Sequence, residues 1–170
     1  MAAPPESRLE ALSRRANRAA EAVMAVLLGA MALLVGLQVA GRFLLGYSIP
    51  WSDELARFLL VWIAFLGVSA AARRAAHPGV DTLVRALPPS GARLARRLAL
   101  LLSLLFMALV AAYGGELVLR TWPQRSPSLG LRMSWPYLAV PASAVLVLLH
   151  WAALGRTHAE GEPRPEARDG

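Results

Sequence analysis

The sequence predicts an all-α membrane protein with four transmembrane helices, both termini in the cytoplasm, and a short in-plane amphipathic helix between helices 2 and 3. Three observations support this fold class. The 170-residue chain is 56% hydrophobic, more than is usual for a soluble domain. Four apolar runs have about 20 residues each, enough to cross a bilayer core as a helix. The arginines that flank these runs are distributed unequally between the two sides of the membrane.

The predicted organisation is a membrane domain between two polar cytoplasmic tails. The tails cover residues 1–21 and 156–170, and the Pro/Gly-rich second tail is expected to be disordered. The membrane domain covers 22–155, with spans at about 22–40, 53–72, 98–119 and 135–154. Pro141 lies inside the fourth span and is expected to kink it. The connection 121–135 contains several Pro and Gly residues and is expected to be irregular.

The charge pattern predicts the orientation and excludes several functions. Thirteen of the 18 basic residues, all of them arginine, lie before span one, between spans two and three, or after span four. The positive-inside rule therefore places both termini in the cytoplasm. The arginines do not form one polar face, which argues against nucleic-acid binding. The chain has no cysteine, which excludes disulfides and cysteine-ligated metals.

The beginning of span two carries the most specific local pattern. Ser52 is a suitable N-cap, and Asp53 and Glu54 then lie in the first turn, where carboxylates interact favourably with the helix dipole. Arg57 follows one turn later, and Trp51 is suited to the membrane interface.

We expect four charged residues to form a polar cluster where spans one and two meet, namely Arg42, Asp53, Glu54 and Arg57. The alternative is a solvated rim, in which ion pairs contribute only about 0–1 kcal/mol.

Small residues along spans one and two predict a surface for close helix packing. Gly29 and Gly36 lie on one stripe of span one, and Gly67 lies in span two near the bulky Trp62. In lipid, such residues let another helix approach closely, so a partner surface is expected along these spans. Gln38 either forms an interhelical hydrogen bond or contacts a ligand.

Residues 80–87 are predicted to form the in-plane helix. Their apolar residues recur at i, i+3, i+4 and i+7, and Pro88-Pro89 end the pattern. The alternative is a loop with accidental periodicity.

The sequence shows no arrangement typical of catalysis, cofactor binding or metal binding. His150 stands alone on span four and is expected to be a hydrogen-bonding residue near the interface, since haem ligation would need a second histidine at membrane depth. Asp53, Glu54 and Glu116 lie near span ends, whereas ion-coupled carriers keep acidic groups within the membrane. We therefore expect no enzymatic activity, no cofactor and no metal.

Two segments resemble a known family. The run GRFLLGYSIPWSDELARFLLVWIAFLGVSAAARRAAHPGVD resembles the small membrane subunit (DctQ-type) of tripartite ATP-independent periplasmic (TRAP) transporters. The matching residues are Arg42, Trp51, Glu54, Leu55, Arg57, Trp62, Phe65, Leu66, Gly67, Arg73, Arg74 and His77. The segment SPSLGLRMSWPYLAVP is similar to the family's connection into span four, through Ser126, Leu129, Gly130, Trp135, Tyr137 and Pro141. The resemblance covers residues 20–155.

The resemblance implies a function that composition does not supply. The chain would be a small scaffold permease subunit of a sodium-coupled, binding-protein-dependent secondary transporter that imports an organic acid. It would lie in the bacterial inner membrane and brace a large multispanning permease subunit, with a periplasmic substrate-binding protein and membrane lipids as further partners. The alternatives are a self-contained four-helix carrier or exporter acting as a homodimer, and a membrane subunit of a redox enzyme. The redox-enzyme subunit is disfavoured, because the sequence has no cysteine and no pair of histidines at membrane depth.

Overall fold

The computed structural model of the protein describes residues 8–44, 46, 50–74 and 88–160. Within these ranges the chain is helical apart from one connection, and no strand occurs beyond an isolated β-bridge between Arg125 and Arg132. The helices are α1 (Arg8–Leu44), α2 (Pro50–Arg74), α3 (Pro89–Thr121), α4 (Ser134–Tyr137) and α5 (Ala139–Glu160). Helices α1, α2 and α3 and the combined α4–α5 unit are each long and apolar enough to cross a membrane. The predicted four-span, all-α membrane fold is therefore confirmed.

The helices extend beyond the predicted spans. Residues 8–21, predicted as a separate tail, are the first turns of α1, and the first residues predicted as the C-terminal tail belong to α5, which ends at Glu160. The reason is that alanine and arginine, which are abundant in these flanks, are good helix formers, so polarity increases without breaking the helix. The helix bounds do not show where the membrane begins and ends. The limits of the four spans, which were read from hydropathy, therefore stay predictions.

Proline and glycine set three of the helix boundaries. Pro50 and Pro89 are the first residues of α2 and α3, where a missing N–H costs no helical hydrogen bond. Gly46, just beyond α1, has φ +65°, a conformation that glycine adopts without steric cost. The predicted in-plane helix at 80–87 lies outside the described residues.

Helix α5 lies at the centre of the arrangement. It contacts α1, α2 and α3, while α1 and α2 also pack against each other. In the described part of the chain, α3 packs only against α4 and α5. The buried face of α5 consists largely of small side chains, including Ala139, Ala144 and Ala153. Small residues permit the close helix approach that stabilises membrane proteins by van der Waals contact.

Pro141 coincides with a break in the fourth span. Proline has no N–H to donate to the carbonyl four residues earlier, which belongs to Tyr137, and the helix is interrupted at Leu138, between α4 and α5. The gap is bridged by N–H donation from Leu138 to the Ser134 carbonyl (2.9 Å) and from Ala142 to the Leu138 carbonyl (3.2 Å).

Gly114 in α3 lies directly against this break. A Cβ atom at Gly114 would approach Pro141 Cδ and Val140 Cγ1 to 3.0 Å, so only glycine fits without displacement of its neighbours. The neighbouring Gly115 faces open space.

Candidate interaction sites at the two ends of the bundle

The two ends of the helical bundle carry separate groups of polar residues. We call one the loop end; it contains the end of α1, the start of α2 and the connection 122–133 between α3 and α4. The other, the terminal end, contains the start of α1 and the ends of α2 and α5. Between them the helices are almost entirely apolar.

Glu54 is the central residue of the loop end. It lies in the first turns of α2 and is only 9% exposed. Its Oε2 accepts backbone hydrogen bonds from Ser128 (3.0 Å) and Leu129 (3.1 Å) in the α3–α4 connection. Successive N–H groups pointing to one side form a natural binding site for an anion, and hydrogen bonds to a charged acceptor are stronger than neutral ones. The carboxylate therefore holds this connection against α2.

The connection consists of turns rather than a helix or a strand, as expected, and it is held by its own hydrogen bonds. Ser126 and Leu131 are joined by a backbone hydrogen bond of 2.7 Å, and the Gly130 N–H donates to the Ser126 carbonyl at 3.1 Å. Gly130 has φ +65°, which allows the tight turn. The Arg132 guanidinium lies 4.4 Å from the centroid of the Trp122 ring, a distance suited to a cation–π contact. The residues that prevent a helix here therefore include one, Gly130, that the turn requires.

Among the four charged residues expected to form one cluster, the structure joins Asp53 and Arg57 by a hydrogen bond, whereas Glu54 and Arg42 do not contact this pair through hydrogen bonds. Asp53 Oδ1 accepts a hydrogen bond of 2.6 Å from Gln38 Nε2, which joins α2 to α1. Arg57 Nε donates to the Asp53 backbone carbonyl at 3.3 Å, and Glu54 binds the connection as described. Arg42 is exposed and makes no hydrogen bond or ion pair with the described residues. Of the two alternatives for Gln38, the structure contains the interhelical hydrogen bond.

The remaining residues singled out from the sequence differ in exposure. Gly29 and Gly36 face open space on α1, whereas a Cβ atom at Gly67 would lie 3.7 Å from Met24 Sδ on α1, so Gly67 belongs to the internal packing. Trp51 is exposed and Trp62 is half-buried. The pair Glu116 and Arg120 lies on the surface of α3 with a separation of 2.6 Å.

A shallow groove of about 440 Å³ between α1 and α2 is lined by Met31, Asp53, Ala56, Arg57 and Leu60.

The terminal end contains a buried polar group around His150, which was expected to form a hydrogen bond but whose burial and partners were not predicted. His150 is fully buried, and its Nδ1 lies 2.8 Å from the Ser13 hydroxyl. The same hydroxyl accepts a hydrogen bond of 2.9 Å from Arg73. Asn17 and Ser69 are also buried. The missed signal is a repeated spacing: Ser13 and Asn17, like Ser69 and Arg73, are four residues apart and so share a helix face.

Neither end resembles a metal centre. Among the residues that the structure describes, no group of three or more histidine, aspartate and glutamate side chains could hold a metal ion. Hydrogen bonds join helices to one another at both ends, and at the loop end they also join α2 to the α3–α4 connection.

Comparison with known proteins agrees with the resemblance noted in the sequence. The family model of tripartite ATP-independent periplasmic transporters, DctQ component, matches residues 31–157. The chain is 27% identical over 163 residues to the C4-dicarboxylate TRAP transporter small permease protein DctQ of Rhodobacter capsulatus, covering 77% of this chain and 72% of that protein. It is 29% identical over 146 residues to the sialic acid TRAP transporter small permease protein SiaQ of Vibrio cholerae, covering 82% and 81%.

A longer relative contains a similar segment. The isethionate TRAP transporter permease protein DctMQ of Oleidesulfovibrio alaskensis is 32% identical over 95 residues, which cover 55% of this chain and 15% of that protein. The chain thus belongs to the DctQ family of TRAP transporter components, and is a multi-pass protein of the bacterial inner membrane.

Proposed function

We propose that this chain is the small scaffold subunit of a sodium-coupled TRAP transporter that imports an organic acid. In this role it braces a large multispanning permease subunit, which receives substrate from a periplasmic binding protein. Family membership supports the assignment to the transporter. The C4-dicarboxylate and sialic acid named for two relatives support a carboxylate as substrate. The chain has no catalytic role in this proposal.

The observation that carries the scaffold role is the exposure of α1. None of its most apolar 18-residue stretch is buried within the chain. Gly29 and Gly36 lie on this helix with open space in front of them. A lipid-facing helix gains nothing from glycine, whereas a helix that packs against another protein gains close contact. We therefore place the main contact with the large subunit along spans one and two, with α1 as its centre.

The positions of the acidic residues support a scaffold over a self-contained carrier. Asp53, Glu54 and Glu116 lie at the loop end, whereas Glu10 and Glu21 lie on the terminal half of α1 and Glu160 is the last residue of α5. A carrier of its own would need a polar site near the middle of the membrane. Glu54, the most buried of the three, is already bound by the backbone of the α3–α4 connection.

The arginine distribution supports an orientation with both termini in the cytoplasm. The loop end then faces the periplasm, where the binding protein is located. The ordered connection presents Trp122, Arg125 and Leu131 at the surface of this end. It is our candidate for any direct contact with the binding protein.

Cross-linking tests the proposed contact surface. Because the chain has no native cysteine, single cysteines can be introduced without a background reaction. Leu33 on α1 and Leu102 on α3 are 65% and 64% exposed, so they form a matched pair. With the large permease present, a bifunctional reagent should join Leu33→Cys to that subunit, and Leu102→Cys should give little product. No product from Leu33→Cys, or an equal yield from Leu102→Cys, would contradict the proposed surface.

A further inference from the structure

The terminal end contains buried polar atoms that lack partners within the chain. His150 Nε2, Asn17 Oδ1 and the Ser69 hydroxyl are inaccessible and make no hydrogen bond with the described residues. His150 and Ser69 are fully buried, and Asn17 is 8% exposed. Buried polar groups without partners are rare in native proteins, and each one points to an unseen ligand or to water.

The contacts of Ser13 suit the tautomer of His150 that carries its proton on Nε2. The Ser13 hydroxyl accepts a hydrogen bond from Arg73, which leaves its own proton free for donation to His150 Nδ1. With the hydroxyl as donor, Nδ1 is the acceptor and the proton of the neutral ring lies on Nε2. Hydrogen bonds that run in one direction also polarise and strengthen one another. Nε2–H is then a buried donor without an acceptor.

Helix register puts Asn17 and Ser69 on the same helix faces as the relay residues Ser13 and Arg73. Asn17 lies one turn beyond Ser13 on α1, and Ser69 lies one turn before Arg73 on α2. Because α1 and α2 run in opposite directions, both residues are one turn deeper in the bundle than the relay. Both are buried on the side of their helix that carries the relay residue.

We propose that the terminal end is an internal water site, in which water accepts from His150 Nε2–H and donates to Asn17 Oδ1, with the Ser69 hydroxyl as a further partner. The mixture of donor and acceptor groups selects the ligand. A cation is repelled by Arg73, and an anion is repelled by the amide oxygen of Asn17. Water can satisfy a donor and an acceptor at once, and buried waters typically make about three hydrogen bonds. The water would hold α1, α2 and α5 together at this end.

Solid-state NMR of the full-length chain in lipid bilayers tests the proposal directly. Replacing His77 and His158 with glutamine leaves His150 as the one histidine, which is then labelled with ¹⁵N. The ring nitrogen shifts should show a proton on Nε2, and a water-edited experiment should show magnetisation transfer from water to this proton. An unprotonated Nε2, or no transfer from water to a side chain that is fully buried, would overturn the proposal.

Substitutions then identify the other partners of the water. Asn17→Leu and Ser69→Ala should each reduce the transfer from water to the His150 ring. Ser143→Ala is the matched control, because this buried hydroxyl already donates to the Val140 carbonyl at 2.9 Å, and it should leave the transfer unchanged. If Asn17→Leu does not insert, Ser69→Ala supplies the same test. Unchanged transfer in every test variant that inserts would contradict the proposed site.

Discussion

The loop end and the terminal end connect their helices in different ways. At the loop end, Glu54 binds the backbone of a segment 74 and 75 positions away in the sequence. At the terminal end, Ser13, Arg73 and His150 connect three helices through side chains alone. Buried hydroxyls without partners occur at both ends, but the unpartnered amide and imidazole atoms belong to the terminal end.

The difference between the ends predicts different sensitivity to substitution. A carboxylate that binds backbone N–H groups requires a particular loop conformation, but it does not depend on the loop's side chains. A side-chain relay requires each of its members. The loop end should therefore depend on Glu54 above all, whereas the terminal end should lose stability in smaller steps, since water can replace part of what is removed.

The largest effect is expected from Glu54→Ala. It leaves two part-buried N–H groups without their charged acceptor, which should lower the free energy of unfolding by about 2–3 kcal/mol. The measurement is the midpoint of unfolding in mixed detergent micelles as the fraction of dodecyl sulfate is raised. Glu54→Gln keeps an acceptor oxygen without the charge and should fall between alanine and wild type.

Two matched variants control for this result. Ser128→Ala retains the N–H that binds Glu54 and should be close to neutral. Glu116→Ala removes a carboxylate that is 47% exposed and pairs with Arg120 on the surface, so its effect should stay below about 1 kcal/mol. Equal effects of Glu54→Ala and Glu116→Ala would show that the buried contact has no special importance.

The next largest effect is expected from Gly114→Ala. The added methyl group meets Pro141 and Val140 at 3.0 Å, and overpacking of this kind costs about 1–3 kcal/mol. In the described part of the chain, α3 packs only against α4 and α5, so the variant should also reduce cross-linking between cysteines placed on α3 and α5. Gly115→Ala is the control, since it faces open space. A stronger effect at Gly115 than at Gly114 would contradict the observed packing of α3.

A smaller effect is expected from Ser13→Ala at the terminal end. The variant removes the acceptor of Arg73 and the partner of His150, but water can enter and replace the hydroxyl. The unfolding free energy should fall by about 1 kcal/mol, the usual value for one hydrogen bond. Unfolding in mixed micelles measures it on the same scale as Glu54→Ala. A loss as large as that of Glu54→Ala would remove the proposed distinction between the two ends.

The sequence predicts local features of this fold better than long-range contacts. Hydropathy shows four spans because each apolar run reports on its own environment, and the motif around Trp51 and Glu54 identifies the family. Neither periodicity nor composition indicates that Glu54 meets Ser128, or that Ser13 meets His150 at a separation of 137 positions. Such pairs depend on how the helices are arranged around α5, and one sequence does not contain that arrangement explicitly.

The helix ends illustrate a second limit on prediction from sequence. The predicted tail boundary at residue 21 follows the change from polar to apolar residues, but α1 begins at Arg8. An alanine- and arginine-rich segment remains helical after it leaves the membrane, since its backbone hydrogen bonds do not require lipid. Polar spacing of i, i+4 in the segment 13–17 was the available sign that this part of α1 packs against the rest of the chain.

The central claim is that the chain supports a transporter but does not transport alone. It is tested most directly by uptake of labelled organic acids into reconstituted vesicles, with an inward sodium gradient. Vesicles should contain this chain alone, the large permease alone, or both, each with the binding protein added outside. The proposal predicts sodium-dependent accumulation with both subunits and none with this chain alone. Accumulation by vesicles that contain this chain alone would contradict the scaffold role and favour a self-contained carrier.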